Sequence, residues 1–309
     1  MAEVTVGVDI GTTSVKALAV DGDGALEAAM ELEPGMRALV TGASSGIGAA
    51  LAERLAARGV DVAIVARRAE RLRAVLDRCH AAGAPGSRLW AVDLGDLDAA
   101  NRLADEVWDD FGPLDVIVHN AGIPKRRHVT ELTPEEVDDV LRINFRSPVG
   151  MTLALLPRLL ERGKGSVVFV SSLAGRLGVP REAAYAASKF ALCGWAESMH
   201  IDLDGTDLEV RLVLPGAIDT EIWSIADNDP PVYTGPKEPV GPVADGIVAA
   251  IESDRFEHYL PDMQGVAAFK VADPDAYLAG AAEMARTASE GGPPPTLDPI
   301  PLGDEAGQP

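Results

Sequence analysis

Residues 37–48 read RALVTGASSGIG, where a short apolar run leads into a glycine-rich turn and then into an apolar-periodic stretch that continues to Ala57. Gly42 permits a tight turn out of a strand, and Gly46 lets the backbone approach a pyrophosphate. The helix that follows would offer free N–H groups and the positive end of its dipole to the phosphates. The stretch predicts a dinucleotide-binding turn, although a tight turn with a purely structural role is an alternative. The predicted cofactor-binding residues of this turn are Gly42, Ser44, Ser45, Gly46, Ile47 and Gly48.

The end of the second apolar run bears on the choice of cofactor. An acidic residue that binds the ribose 2′-hydroxyl is expected about 20 residues after such a turn, but the run ends in Ala66-Arg67-Arg68. Two guanidinium groups suit a 2′-phosphate, so we expect NADP(H), with NAD(H) possible. Alternatively, the two arginines simply open a solvated helix. Asp93, after the third run, is a candidate acceptor for the adenine amino group or an ordinary helix N-cap.

Residues 36–265 repeat a unit of one short apolar run and one longer amphipathic stretch. Several runs are apolar throughout, as in strands buried on both faces of a parallel sheet. This alternation predicts an α/β fold with a doubly wound parallel sheet, a Rossmann fold. The candidate strands are Arg37–Thr41, Val60–Ala66, Arg88–Val92, Val116–His119, Ser166–Ser171, Glu209–Leu214 and His258–Leu260. The candidate helices begin near Ser45, Ala69, Leu97, Pro134, Ala184 and Val240.

Four polar residues in the second half of this zone are candidate catalytic residues. Tyr185 and Lys189 are four residues apart on a predicted helix and therefore share one face. Because a nearby ammonium favours the phenolate, we expect Lys189 to lower the pKa of Tyr185 from its ordinary value of about 10. The hydroxyl of Ser172, thirteen residues before Tyr185, would orient a substrate carbonyl or alcohol. Asn144 would hold a proton-relay water.

Taken together, these segments resemble the short-chain dehydrogenases/reductases over residues 36–265. Besides the glycine-rich turn, the resemblance rests on His119-Asn120-Ala121-Gly122, Asn144, Ser171-Ser172, Tyr185 to Lys189, and Pro215-Gly216 followed by Thr220. It implies that Tyr185 is the acid/base, that Lys189 binds the nicotinamide ribose and that Asn120 steadies the central sheet. The further cofactor-binding residues that it implies are Asn120, Gly122, Tyr185, Lys189, Pro215, Gly216 and Thr220.

The chain departs from that family at two places. His119 stands where many members carry Asn, and residues 258–261 replace a glycine-rich ending. The second difference puts the usual tetramer contact through the last strand in doubt. We expect a homo-oligomer, with a dimer favoured.

The two ends of the chain lie outside the repeating zone. Residues 6–17, VGVDIGTTSVKA, resemble the phosphate hairpin of sugar kinases of the actin-like ATPase class, over about residues 4–24. The walls that would enclose ATP are absent, so we interpret residues 1–35 as an N-terminal extension that carries a remnant of such a hairpin. Residues 266–309 are expected to hold one helix and then, from Thr287, a proline-rich acidic disordered tail. The prediction is one Rossmann domain between an extension and a tail.

Composition narrows the function classes. The 309 residues include 48 acidic and 27 basic residues, a net charge of −21 that argues against nucleic acid or an anionic membrane as partner. Two cysteines cannot build a disulfide framework. The first ten residues lack the basic region of a secretory signal, no apolar run reaches the ~18 residues of a membrane span, and the histidines show no metal-ligand spacing. We expect a cytoplasmic protein that acts on a small molecule without a metal.

The sequence favours an NADP-dependent oxidoreductase that interconverts an alcohol and a ketone or aldehyde, with Tyr185 as acid/base. A non-catalytic nucleotide-binding scaffold and a sugar-kinase-like ATP-binding protein are the alternatives. The stretch from Ile218 to Val240, rich in Pro and Asp, is the expected substrate lid. The basic stretch Lys125-Arg126-Arg127-His128 is interpreted as a solvated loop or as a patch that steers an anionic substrate.

Overall fold

A computed structural model describes residues 5–11, 14–20 and 30–289. Near the amino terminus, β1 (Thr5–Gly11) and β2 (Ser14–Val20) pair antiparallel in a two-stranded sheet of their own. The resemblance of this segment to the sugar-kinase hairpin stays a prediction.

Seven parallel strands form the central sheet, in the order β5-β4-β3-β6-β7-β8-β9. They are β3 (Arg37–Thr41), β4 (Asp61–Ala66), β5 (Arg88–Ala91), β6 (Val116–His119), β7 (Gly165–Val170), β8 (Leu208–Pro215) and β9 (Glu257–Leu260). The predicted doubly wound parallel sheet is confirmed. Because the chain leaves β3 towards one edge and resumes at β6 on its other side, the strand order reverses between β3 and β6. Ligands of such sheets bind at this reversal.

Helices cover both faces of the sheet. They are α1 (Gly46–Ala56), α2 (Ala69–Ala82), α3 (Leu97–Phe111), α4 (Pro134–Leu141), α5 (Ser147–Arg162), α6 (Ala183–Asp202), α7 (Val240–Ile251), α8 (Gln264–Ala272) and α9 (Pro274–Ser289). The apolar side chains of each strand alternate between two cores: Ala38 and Val40 pack with α1, α2 and α7, whereas Leu39 packs with α3, α5 and α6. Burial on both faces explains why these strands read as continuous apolar runs.

Helix α5 is absent from the helices that the sequence predicted. The helix that begins at Pro134 continues through a π-helical turn, Arg142–Arg146, directly into α5, which carries Pro157 in its interior. Proline usually ends a helix because it lacks an N–H and clashes with the preceding turn. Because of the prolines at positions 148 and 157, the sequence pattern does not predict α5.

Both ends of the predicted domain differ from expectation. From Gln264 onwards the structure has two helices rather than one. They are separated at Asp273, whose carboxylate accepts a hydrogen bond from the backbone N–H of Ala276 at 2.9 Å. Residues 287–289, assigned to the tail, end α9, and the rest of the predicted disordered tail lies outside the described residues. At the other end, Leu32 of the predicted extension is 8% exposed and belongs to the core that contains α1 and α7.

Candidate active site

A cleft of about 1190 Å³ opens at the carboxyl edge of the central sheet. It lies where the strand order reverses, between the turn that follows β3 and the loop that follows β6. All the sequence-predicted site residues line it except Gly48 and Asn144. Gly48 instead packs against the glycine-rich turn itself, and Asn144 is buried beside the loop after β6.

The glycine-rich turn packs against the loop after β6. Gly42 has φ +70°, and a methyl group added to it would come 2.8 Å from the Cα of Ala121. A methyl group at Gly48 would come 2.6 Å from the carbonyl oxygen of Gly42. The side-chain amide of Asn120 donates to the carbonyl of Thr41 at 3.0 Å, and its backbone N–H donates to the Thr41 hydroxyl at 3.0 Å. Asn120 thus joins the ends of β3 and β6.

The amino terminus of α1 supplies a site that suits phosphate. None of the described side chains caps this helix, although Ser45 occupies the N-cap position. The hydroxyls of Ser44 and Ser45 instead accept hydrogen bonds from the guanidinium of Arg68, at 3.0 and 2.8 Å. Arg68 also donates to the Glu221 carboxylate at 2.8 Å. Uncapped helix N–H groups, two hydroxyls and a guanidinium are the donors that phosphates bind.

The two arginines at the end of β4 differ in their contacts. Arg67 and Arg68 are both exposed and both line the cleft, but the contacts with the serine hydroxyls are made by Arg68. Asp93 also lines the cleft, and its carboxylate accepts from the backbone N–H of Gly95 at 2.9 Å. The alternative that Asp93 caps the next helix is wrong, because Asp96 occupies that position and accepts from the backbone N–H of Ala99.

Tyr185, Lys189 and Ser172 meet in the middle of the cleft. The Nζ of Lys189 lies 5.7 Å from the centre of the Tyr185 ring and donates to the carbonyl of Val170 at 3.0 Å. The Ser172 hydroxyl accepts from the backbone N–H of Ala174 at 3.1 Å. Tyr185 and Lys189 belong to α6, whereas Ser172 follows β7. The structure therefore brings together the three residues that the sequence selected for proton chemistry.

Burial has the largest effect on the pKa values of Tyr185 and Lys189. It raises the pKa of Tyr185 above its usual range, and the charge of Glu182 adds to the rise, while the hydrogen bond with Ser172 opposes it. It also lowers the pKa of Lys189 to about 8. The expected lowering of the Tyr185 pKa is wrong for this structure, because the loss of solvation on burial raises the pKa instead. Tyr185 therefore keeps its proton at neutral pH.

Asn144 lies in the π-helical turn between α4 and α5, and its side chain is fully buried. Its carbonyl oxygen accepts from the backbone N–H of Ile123 at 2.8 Å, and its amide donates to the carbonyl of Ile123 and to the Ser188 hydroxyl, both at 3.0 Å. A methyl group at Gly122 would come 3.4 Å from the Asn144 oxygen and 3.6 Å from the Nζ of Lys189. Asn144 thus holds the loop after β6 beside Lys189.

The basic stretch after β6 has a role that its sequence does not reveal. Arg126 is 3% exposed, and its guanidinium donates to the backbone carbonyls of Ile222, Trp223 and Asp229 at 3.1 to 3.2 Å. This buried arginine fastens the predicted lid to the cleft wall. Because its partners are backbone carbonyls, no residue type in the lid signals this role of Arg126.

The two neighbours of Arg126 are paired as well. Lys125 and Arg127 bind the carboxylates of Glu136 and Asp227. The three cations of the stretch are therefore buried or paired, whereas His128 at its end is exposed.

Helix α9 also lines the cleft, which sequence reasoning did not anticipate. Its cleft-lining residues are Ala276, Tyr277, Gly280, Ala281 and Met284. The Tyr277 hydroxyl donates to the carbonyl of Gly178 at 2.8 Å and so ties α9 to the loop before α6.

The described part of the chain has neither a candidate membrane span nor a candidate metal site. No helix there is both long and apolar enough to cross a membrane. Within the same residues, no group of three or more His, Cys, Asp or Glu side chains is placed to hold a metal ion.

Comparison with known proteins agrees with this geometry. The sequence model of the family described as short chain dehydrogenase matches residues 36–230. A short chain dehydrogenase of Pseudocercospora fijiensis is 37% identical over 196 residues, which are 62% of this chain and 63% of that protein. The matched region spans about three-fifths of the length of such curated relatives.

Two solved structures extend the comparison. A short chain dehydrogenase of Burkholderia cenocepacia in complex with NADP has a TM-score of 0.69 and 29% identity, covering 82% of this chain and 99% of its own. A metagenomic short-chain oxidoreductase in complex with NADP has a TM-score of 0.63 and 32% identity, covering 74% of this chain and 97% of its own.

Proposed function

This chain belongs to the short-chain dehydrogenase family, and from that premise we propose that it is an NADP(H)-dependent oxidoreductase that interconverts an alcohol and a ketone or aldehyde. One observation carries the proposal: Ser172, Tyr185 and Lys189 line the same cleft as the glycine-rich turn. A nucleotide held by the turn would place its reactive end beside a phenol, a hydroxyl and an ammonium group. A scaffold that only binds nucleotide has no need for that combination.

The residues present fit the cofactor. The glycine-rich turn and the uncapped start of α1 would hold the pyrophosphate, and Arg67 and Arg68 beside Ser44 would hold a 2′-phosphate. Asp93 would accept from the adenine amino group. The nicotinamide ribose and ring would lie among Asn120, Gly122, Lys189, Pro215, Gly216 and Thr220, which line the cleft. That structural relatives are bound to NADP supports the same choice.

The cofactor, when bound, supplies or accepts the hydride, and the protein handles the proton. In carbonyl reduction, the hydroxyls of Ser172 and Tyr185 would donate hydrogen bonds to the substrate oxygen and orient it. Tyr185 would then transfer its proton to that oxygen as negative charge develops there. Because burial raises the pKa of Tyr185, the tyrosine is in the protonated form that this step requires.

Lys189 and Asn144 would support the proton transfer. After donating its proton, Tyr185 carries a negative charge, and the ammonium of Lys189, 5.7 Å from the ring centre, would stabilise it. Asn144 fixes the loop beside Lys189 through Ile123, so a water that delivers the next proton would find a rigid environment there.

An activity screen tests the proposal. Purified protein is incubated with NADPH or NADH and a panel of ketones, aldehydes, quinones and sugars, and nicotinamide absorbance is followed. We expect carbonyl-dependent oxidation of NADPH. Tight NADPH binding without turnover of any compound would favour a non-catalytic scaffold instead.

We also propose that the enzyme is a homodimer. Leu153 and Leu160 of α5 and Phe190 of α6 are exposed apolar side chains that a second subunit would cover. Light scattering coupled to size-exclusion chromatography distinguishes one copy from two, and a monomer at micromolar concentration would contradict the proposal.

A further inference from the structure

Beyond the catalytic residues, the cleft is mainly apolar. The lid and the last two helices contribute Ile222, Trp223, Val232, Phe269, Tyr277 and Met284 to its lining. A substrate bound there would bury a bulky hydrocarbon or aromatic body. Any charged side chain in such a wall has a cost in solvation, so its presence calls for a partner.

Glu182 is such a side chain. It is the N-cap residue of α6, three positions before Tyr185, and its side chain is 13% exposed and lines the cleft. Burial raises the pKa of its carboxyl group, and the charge of Arg126 partly offsets the rise. Residues three apart on one helix are neighbours on its surface. A substrate whose carbonyl reaches Tyr185 would therefore have an adjacent atom within reach of Glu182.

Arg126 is the cation beside Glu182, but it does not saturate the carboxylate. Its guanidinium nitrogen lies 4.0 Å from a Glu182 oxygen, beyond hydrogen-bond distance. The hydrogen bonds of Arg126 go to lid carbonyls, as described above. Among the residues that the structure describes, no donor makes a hydrogen bond to the Glu182 carboxylate. Arg126 therefore stabilises the charge at a distance and leaves the oxygens available to a ligand.

We propose that Glu182 accepts a hydrogen bond from a hydroxyl group of the substrate, and that the substrate class is therefore a bulky, mostly apolar ketone with a hydroxyl one or two carbons from the reacting carbon. This inference rests on the proposed oxidoreductase function and makes its substrate more specific. A carboxylate accepts hydrogen bonds but cannot donate them, so the substrate must bring the donor. The same charge repels carboxylate and phosphate groups at that position.

The expected size of the preference for a hydroxyketone follows from the strength of a hydrogen bond to a charged group. Such a bond discriminates by about 10- to 150-fold between a ligand that supplies the donor and one that lacks it. Mutation of the acceptor should remove this preference, so the ratio of kcat/KM for the two ketones of a pair is the quantity that tests it.

Two matched pairs of ketones test the inference with NADPH: α-hydroxyacetophenone against acetophenone, and 3-hydroxypropiophenone against propiophenone. Benzoylformate serves as an anionic relative. Each is assayed with wild type, Glu182→Ala, Glu182→Gln and the control Glu135→Gln, which changes an exposed carboxylate in the first turn of α4. Thermal denaturation of each variant confirms folding.

We expect wild type and Glu135→Gln to favour at least one hydroxyketone over its partner by more than about tenfold in kcat/KM. In Glu182→Ala that ratio falls to within about twofold of unity. Glu182→Gln keeps part of the preference, because an amide oxygen still accepts, and it raises kcat/KM for benzoylformate.

Three results would count against the inference. An active wild type that shows no preference for the hydroxyketones overturns it. So does a fall in kcat/KM of Glu182→Ala that is equal for both ketones of a pair, because Glu182 would then act through Tyr185 or the fold. If wild type binds NADPH but reduces no ketone at all, the proposed function itself fails, and the inference fails with it.

Discussion

The Nζ of Lys189 lies 5.7 Å from the centre of the Tyr185 ring, and its hydrogen bond is directed to the carbonyl of Val170. The two residues are four positions apart on α6, and both line the cleft. Burial raises the pKa of the phenol and lowers the pKa of the ammonium to about 8. Tyr185 is therefore protonated near neutral pH, as the proposed reduction of a carbonyl requires.

The first prediction concerns the preference for NADPH. Because Arg68 lies against the hydroxyls of Ser44 and Ser45, Arg68→Ala should raise the KM for NADPH by about tenfold or more and change that for NADH much less. Arg67→Asp should shift the ratio of kcat/KM towards NADH, since it removes a phosphate partner and supplies a ribose acceptor.

Steady-state kinetics with both cofactors check this prediction. Arg73→Ala, an exposed arginine of α2 outside the cleft, is the matched control. A preference unchanged in both Arg67→Asp and Arg68→Ala would show that the 2′-phosphate is held elsewhere.

The second prediction concerns the fastening of the lid. Lysine cannot reproduce the planar set of donors with which Arg126 binds three backbone carbonyls. Arg126→Lys should therefore lower kcat/KM for the best ketone of the screen at least tenfold, with the Kd for NADPH within about threefold of wild type. Loss of these buried hydrogen bonds should also reduce the free energy of unfolding by about 2–4 kcal/mol.

Isothermal titration, kinetics and urea denaturation measure these quantities. Arg142→Ala, which breaks an exposed pair with Asp139, should change the stability by less than about 1 kcal/mol. If Arg126→Lys behaves like that control, the lid is held by other contacts.

The third prediction concerns the N-terminal extension. Deletion of residues 1–29 should leave kcat/KM unchanged, because the residues proposed for catalysis and cofactor binding lie beyond Thr41. Deletion of residues 1–33 should lower the Tm by several degrees, since it removes Leu32, whose burial is worth about 1.5–3 kcal/mol. It also removes two hydrogen bonds, from the backbone N–H groups of Met30 and Leu32 to Glu209 and Glu252.

Differential scanning calorimetry and kinetics of the two truncated proteins check this difference. Loss of NADPH binding on deletion of residues 1–29 in a protein that stays folded would show that the segment has a function. Equal Tm values for the two truncated proteins would contradict the assignment of Leu32 to the core.

The fourth prediction concerns a buried histidine in β6. His119 stacks on Phe169 with the ring centres 5.3 Å apart, and its Nε2 lies 2.9 Å from the Thr152 hydroxyl. That hydroxyl donates to the carbonyl of Pro148, so Nε2 is the protonated nitrogen of the ring and Nδ1 is left bare. Nδ1 has no hydrogen-bond partner among the described residues. Burial lowers the pKa of His119 to about 3.

The sign of the pH dependence follows from this shift. The unfolded chain binds a proton at His119 below pH of about 6.5, whereas the folded protein does so only near 3. The contribution of neutral His119 to the free energy of unfolding is therefore fully present above about pH 6.5, and it falls as the pH is lowered from there. In urea denaturation, the free energy of unfolding falls between about pH 7 and about pH 5, and this fall should be smaller by about 2 kcal/mol in His119→Asn than in wild type. The exposed control His128→Asn should keep the wild-type loss; an unchanged loss in His119→Asn would refute the assignment.

The sequence revealed most of the fold because the strands are buried on both faces and the helices between them are periodic. It also located the glycine-rich turn, Ser172, Tyr185 and Lys189, since these residues follow strands or share a helix face. It could not reveal that Glu182 enters the cleft or that Arg126 is buried beneath the lid, because both depend on contacts between segments distant in sequence. The pKa of Tyr185 was wrongly predicted to be lowered, because spacing along a helix carries no information about the solvation lost on burial.

The most direct measurement of the central claim compares Tyr185→Phe with wild type. The change removes only the phenolic oxygen, and the matched control Tyr277→Phe removes a phenolic oxygen from α9 in the same cleft. With the best ketone of the screen, Tyr185→Phe should lower kcat by about 10²–10⁴-fold, with the Kd for NADPH within about twofold of wild type, while Tyr277→Phe should retain most of the wild-type kcat. Retention of more than about a tenth of the wild-type kcat in Tyr185→Phe would contradict the assignment of Tyr185 as the proton donor.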